Sequence, residues 1–158
     1  MIESLRAVFD CNIFLQALGK PLGPAGKCLD YVLSGRLSLY TANFIFDEIQ
    51  KVAAYPKIVR RFQLSDERVH RFLNDIRARS VIINDAPSRF NYSCDPDDAR
   101  YIDLAVAVKA HLIVSRDKDF LDLMDMSRTE AVAFAREFPF LRIVDPVTFL
   151  REIAPSVD

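Results

Sequence analysis

Strands that alternate with helices along the chain predict an α/β fold, a single-domain parallel β-sheet flanked by helices on both faces. Three observations lead there. Ala7-Val8-Phe9 and His111-Leu112-Ile113-Val114 are short apolar runs of the kind a fully buried strand needs. Between such runs, apolar residues recur at helical spacing, as in Val69, Phe72, Leu73 and Ile76. Both runs lead into an aspartate, Asp10 at once and Asp117 after Ser115-Arg116, at the carboxyl ends of strands where open sheets place their ligand crevice.

With 158 residues, 51% of them apolar, the chain is the size of one domain over residues 1–158 and can bury a core without staples. No apolar run approaches the ~20 residues of a bilayer span, and the opening MIESLRAVFD has no basic flank before a long apolar core. A soluble, cytoplasmic protein without membrane contact is expected. Cys11, Cys28 and Cys94 are odd in number and lack zinc-type spacing, which argues for ordinary thiols. A net charge of -1 excludes a bulk electrostatic pull on nucleic acid. The charges are unevenly placed: Arg60, Arg61, Arg68, Arg71, Arg77 and Arg79 crowd one region, while acids crowd another from Asp95 to Asp125.

Taken in order, Ala7–Phe9 is the first strand. LGKPLGPAGK reads as a linker, and Cys28, Leu29, Val32 and Leu33 then mark a helix that Gly35 stops. Leu37–Tyr40 is the second strand, and Asn43 is the expected cap of a helix FIFDEIQKVAAY ended by Pro56. Ser65 caps the next helix, with Asp66 and Glu67 in its first turn. Val81–Ile83 is strand-like. Asp95-Pro96-Asp97-Asp98 combines a capping residue, a first-turn proline and acids at the positive end of a helix, so capping alone can explain it. After the strand at His111–Val114, Asp119 is the expected cap of a short helix FLDLMD; SRTEAVAFAREFPF is a loop or helix of open orientation. Leu141–Val144 is the last strand, and Pro146 opens a terminal helix.

Asp10 and Asp117 follow strands, whereas Glu48 and Asp98 lie near helix starts, with Asp47 an alternative to Glu48 as the inward-pointing acid. Right-handed crossovers bring all four to one sheet edge. Two like charges about 4 Å apart repel by about 4 kcal/mol at an effective dielectric near 20, so clustered carboxylates must take up protons or hold a cation. Hard oxygen ligands suit Mg²⁺ or Mn²⁺, and such a site can promote in-line displacement at a phosphodiester. No Ser-His-Asp or Cys-His system competes, because His70 and His111 both read as structural or exposed. Gly19, Gly23 and Gly26 fit no phosphate-loop spacing.

VFDCNIFLQA, FDEIQKV, DPDDARYIDLA and HLIVSRDKDF occur in an order and spacing that resembles PIN-domain ribonucleases, above all the bacterial toxins of toxin-antitoxin pairs. The resemblance covers residues 5 to 122. It implies a metal-dependent endoribonuclease in which Asp10, Glu48, Asp98 and Asp117 are catalytic and metal-binding. Asn12 and Ser115 match supporting polar positions, and Asp103 is the further candidate for support. It also implies single-stranded RNA as substrate, products with a 5′-phosphate and a 3′-hydroxyl, an antitoxin protein as partner and a homodimer. The sequence departs from the pattern at Cys11, where Thr or Ser is usual, and at Lys109-Ala110-His111, which replaces a Gly-bearing turn.

An acidic pocket that receives RNA needs flanking cations, and the Arg60 to Arg79 region, with Arg68 and Arg71 as the RNA-binding candidates, is the expected supply. Three other readings stay open. The chain could keep the fold as a metal-free protein- or RNA-binding module, or process RNA without an antitoxin. An aspartyl-phosphate enzyme with Asp10 as nucleophile is disfavoured, because Asn12 stands where haloacid dehalogenase-like phosphatases place a second acid.

Overall fold

Ala7, Val8 and Phe9 have no exposed surface, and the strand they form is the middle of a parallel sheet. The computed structural model describes residues 4–90 and 96–158. Its strands are β1 (Arg6–Phe9), β2 (Ser38–Thr41), β3 (Ser80–Ile82), β4 (Leu112–Val114) and β5 (Arg142–Val144), in the spatial order β3-β2-β1-β4-β5. Every neighbouring pair is parallel, with Phe9 opposite Val114 and Val8 opposite Tyr40. The α/β class expected from the apolar runs is the class observed.

The helices are α1 (Cys11–Gly19), α2 (Pro24–Leu33), α3 (Asn43–Ala53), α4 (Pro56–Phe62), α5 (Asp66–Arg79), α6 (Pro96–Ala107), α7 (Lys118–Leu121), α8 (Thr129–Glu137) and α9 (Pro146–Thr148). A π-helical turn, Phe149–Ile153, prolongs α9. The chain steps from β1 to β2 and β3 in one direction, then crosses back to β4 and β5. Right-handed crossovers therefore put α1 to α5 on one face and α6 on the other. Contacts agree: α1 packs on α2 and α3, while α6 lies against β1, β2 and β4. Among the described residues, no helix is long and apolar enough to cross a membrane.

Local chemistry accounts for several boundaries and corrects others. Ser65 caps α5 as expected, its Oγ accepting from Arg68 N–H at 3.1 Å. Residues 11–19, partly assigned to a linker, form α1 instead; six of its residues are buried, so it lacks the polar face that marks an amphipathic helix. Pro56 ends α3 only to start α4 at its first position. Asn43 is not the cap of α3: Ala42 holds that place, and the Asn43 N–H donates to Asn84 Oδ1 at 2.8 Å. Asp117, not Asp119, caps α7 by accepting from Asp119 N–H at 2.9 Å. Asp95 and Cys94 lie outside the described residues. Cys11 and Cys28 are free, buried thiols. His111 is structural, its Nδ1 accepting from Arg6 N–H at 2.9 Å.

The turn without glycine, Lys109-Ala110-His111, has a left-handed residue after all. Lys109 has φ 53°; its N–H donates to Val106 O (3.2 Å), and Ala110 N–H donates to Ala105 O (2.8 Å). This paired closure ends α6 and normally favours glycine at the left-handed position. The same geometry ends α2, where Gly35 (φ 79°) fills that place. Lys109→Gly is therefore expected to stabilise the fold by about 0.5–1 kcal/mol, after the greater chain entropy of glycine is set against the relieved strain. Urea denaturation reads this as a higher midpoint at unchanged slope; a lower midpoint would show that Lys109 is not strained.

Candidate active site

β1 lies between β2 and β4, so successive chain segments leave its two sides in opposite directions. This reversal opens a crevice at the carboxyl edge of the sheet. Asp10 closes β1 and caps α1. It is 5% exposed, and its backbone N–H still bonds to Val114 O at 3.0 Å, which fixes it against the end of β4. Ser115 follows β4 and is fully buried. Its Oγ donates to Asp10 Oδ2 at 2.8 Å and accepts from Asp117 N–H at 2.9 Å. One hydroxyl thus joins the first acid to the backbone that presents the last.

Glu48 reaches the same edge from α3. The Tyr101 hydroxyl on α6 donates to Glu48 Oε2 at 2.8 Å and accepts from Cys11 N–H at 3.3 Å. Burial pushes the Tyr101 phenol well above its ordinary range, and the neighbouring carboxylates Asp10 and Glu48 add to this, so it remains a donor. Phe44 and Phe120 meet its ring edge-on, at 5.1 and 6.0 Å. Asp47, the alternative to Glu48, is exposed.

Asp98 from the first turn of α6 stands opposite Asp117. Carboxylate oxygens of Asp98, Asp117 and Asp119 lie within 4.8 Å of one another. Asp98 Oδ2 is shielded from solvent. Burial pushes the Asp10 carboxyl up to about 6; hydrogen bonds from Ser115 and the Asn12 amide oppose the rise, and the charges of Glu48 and Asp117 add to it. Asp117 therefore belongs to both groups, electrostatically to Asp10 and geometrically to Asp98 and Asp119. The donor set consists of hard oxygens, which fits a small divalent cation. Ligands of one Mg²⁺ lie at most about 4.2 Å apart, given bonds of about 2.1 Å, so modest side-chain rotation closes the group.

The PIN domain profile matches residues 6–119, a stretch that begins at β1 and ends at Asp119. The chain belongs to the PIN domain family. A PIN domain implies nuclease activity with acidic, metal-binding residues. The chain is also 34% identical over 124 residues, 78% of each chain, to an uncharacterized protein of the archaeon Methanocaldococcus jannaschii.

Asn12 is exposed, one residue into α1, and its N–H donates to Asp10 Oδ1 at 3.4 Å. Asp103 is 7% exposed and serves the fold rather than the acids. Its Oδ1 accepts from the N–H groups of Arg89 (2.9 Å) and Phe90 (2.8 Å), tying the loop after β3 to α6. Arg68 is likewise engaged elsewhere. Its guanidinium donates to Phe62 O at 3.1 Å and to Leu18 O, the latter at the end of α1 remote from Asp10, about 12 Å along the helix. Arg71 is exposed and pairs with Glu67 at 2.8 Å. Arg68 is thus held against the end of α1, while Arg71 lies on the exposed face of α5.

Two residues escaped the sequence reading. Asp119 looked like a cap because it precedes FLDLM, yet the cap is Asp117 and Asp119 joins the acids. Tyr101 carried no expectation, and only the distance to Glu48 reveals its hydroxyl as a tether. The spacing Asp117-x-Asp119 at the end of a strand was the available signal for the first; the second had none.

The raised Asp10 group carries a sign for stability. Its folded value of about 6 exceeds the ordinary 3.8, so the metal-free fold holds this proton more tightly than the unfolded chain. That contribution is full below about pH 4 and is lost as pH rises through about 6. Asp10→Asn should accordingly stabilise the EDTA-treated protein at pH 7 by on the order of 1–3 kcal/mol, with the advantage gone at pH 4. Thermal melts across this range check it; a variant less stable than the parent at pH 7 would contradict the assigned cost.

Proposed function

We propose that the chain is a Mg²⁺- or Mn²⁺-dependent endoribonuclease that hydrolyses single-stranded RNA. The observation that carries this reading is the continuity of the acids: Ser115 links Asp10 to Asp117, and Asp117 lies within 4.8 Å of Asp98 and Asp119. Asp98, Asp117 and Asp119 would hold a cation, with Asp10 and Glu48 completing the negative edge. A divalent ion held there supplies Lewis acidity and positive charge for in-line displacement at phosphorus. The chain's own residues do the rest. Ser115 orients Asp10, Tyr101 orients Glu48, and Asn12 at the mouth offers an amide to the nucleotide beside the scissile bond. The products are a 5′-phosphate and a 3′-hydroxyl.

Within this reading the biological role is that of a toxin in a type II toxin-antitoxin pair, supported by the resemblance of the four acid-bearing motifs to that group. The partner is a small antitoxin that covers the acids, with an arginine placed among the carboxylates. A homodimer is part of the same proposal. Co-expression with the product of an adjoining short reading frame, followed by copurification, tests the partnership.

Cleavage of a labelled single-stranded RNA in Mn²⁺, Mg²⁺ or EDTA tests the chemistry. Activity should require metal and fall by at least about a hundredfold in Asp10→Asn and in Asp117→Asn, a loss of about 2.7 kcal/mol or more of transition-state stabilisation. Millimolar Mn²⁺ should also raise the melting temperature of the parent protein. Metal-independent cleavage, or activity retained in both variants, would contradict the proposal. No cleavage and no shift with Mn²⁺ would favour a binding module.

A further inference from the structure

A cleft of about 410 Å³ is lined by Gln16, Lys20, Arg116 and Asp145 among others. Arg116 sits in the turn between Ser115 and Asp117, so the residue that faces the cleft and the residues that build the acidic edge are consecutive. Asn12, Gln16 and Lys20 recur every four residues along α1, and the Lys20 N–H still bonds to Gln16 O at 2.8 Å. They therefore form one polar stripe that starts beside Asp10 and ends in the cleft. Lys20 and Arg116 are both exposed, and among the described residues neither side chain makes a hydrogen bond or ion pair. Asp145, also in the lining, has one carboxylate oxygen engaged, accepting from Thr148 N–H at 2.7 Å.

We propose that this cleft binds the phosphodiester backbone of the single-stranded RNA flanking the scissile bond, with Lys20 and Arg116 as its phosphate ligands. The inference rests on the nuclease reading and adds the path of the substrate. A polyanion is repelled by an edge of carboxylates; it needs cations to offset that repulsion, and Arg116 adjoins Asp117 in the chain. Two positive side chains at the end of a polar stripe give the strand a direction, from the acids along α1. The uncharged start of α2 at Gly23 and Pro24 forms a wall without a competing acid.

The test is fluorescence anisotropy with a fluorescein-labelled single-stranded RNA of about twenty nucleotides in Mn²⁺, on the Asp10→Asn background to suppress cleavage. Lys20→Gln with Arg116→Gln should weaken binding about tenfold and flatten the plot of log K against log salt by about 1.4, two phosphate contacts at about 0.7 each. Lys57→Gln on exposed α4 should leave both unchanged. In protein with its acids intact, Lys20→Gln with Arg116→Gln should leave the melting shift with Mn²⁺ as in the parent, which shows the acidic edge undisturbed. Equal affinity and equal slope in the presence and absence of the two cations would overturn the cleft assignment alone. Failure of both the Asp10→Asn protein and the parent to bind the RNA would overturn the nuclease reading and the cleft with it.

Discussion

Two strand ends that carry acids are held side by side by a hydroxyl with no exposed surface. Ser115 donates to Asp10 and accepts from the Asp117 amide, which locks the end of β1 to the turn after β4. The bridge fixes Asp10 against the Asp117 backbone although the charges of Glu48 and Asp117 disfavour a carboxylate there. Tyr101 does the equivalent for Glu48, drawing α3, α6 and the start of α1 together through one oxygen. The sheet order supplies the crevice, and these two hydroxyls determine which acids face into it.

Such an arrangement is costly in the absence of a cation, as the raised Asp10 group shows. Nothing in the packing compels a chain to bury Asp10 between acids; an asparagine could accept from Ser115 and cap α1 as well. Retaining a carboxylate there is consistent with a site whose stability is completed by a bound divalent ion, and the oxygen set of Asp98, Asp117 and Asp119 is of the right chemical type. The conflict between local stability and a charged cluster is the signature of a working site.

Much of the fold was legible because its signals are local. β1 and β4 are apolar runs that end near acids, and Ser65 with Asp66 and Glu67 spells out the start of α5. What escaped was decided by distant partners or by atypical periodicity. α1 is apolar nearly all round, so its 3.6-residue pattern is muted. Asn43 lost its capping role to Asn84, 41 residues away. The charged stripe of α5 gave no hint that Arg68 turns back onto Leu18 O, 50 residues distant. At the site, the strand-end acids were readable from position alone, whereas the roles of Tyr101 and Asp103 depend on tertiary contacts.

Anomalous diffraction from crystals grown with Mn²⁺ tests the central claim most directly, because it locates the ion without reference to activity. A peak is expected at the carboxyl edge of the sheet, coordinated by Asp117 together with Asp98 or Asp119, at about 2.0–2.3 Å from their oxygens. An edge free of manganese at millimolar concentration, or a peak remote from Asp117, would contradict the assignment.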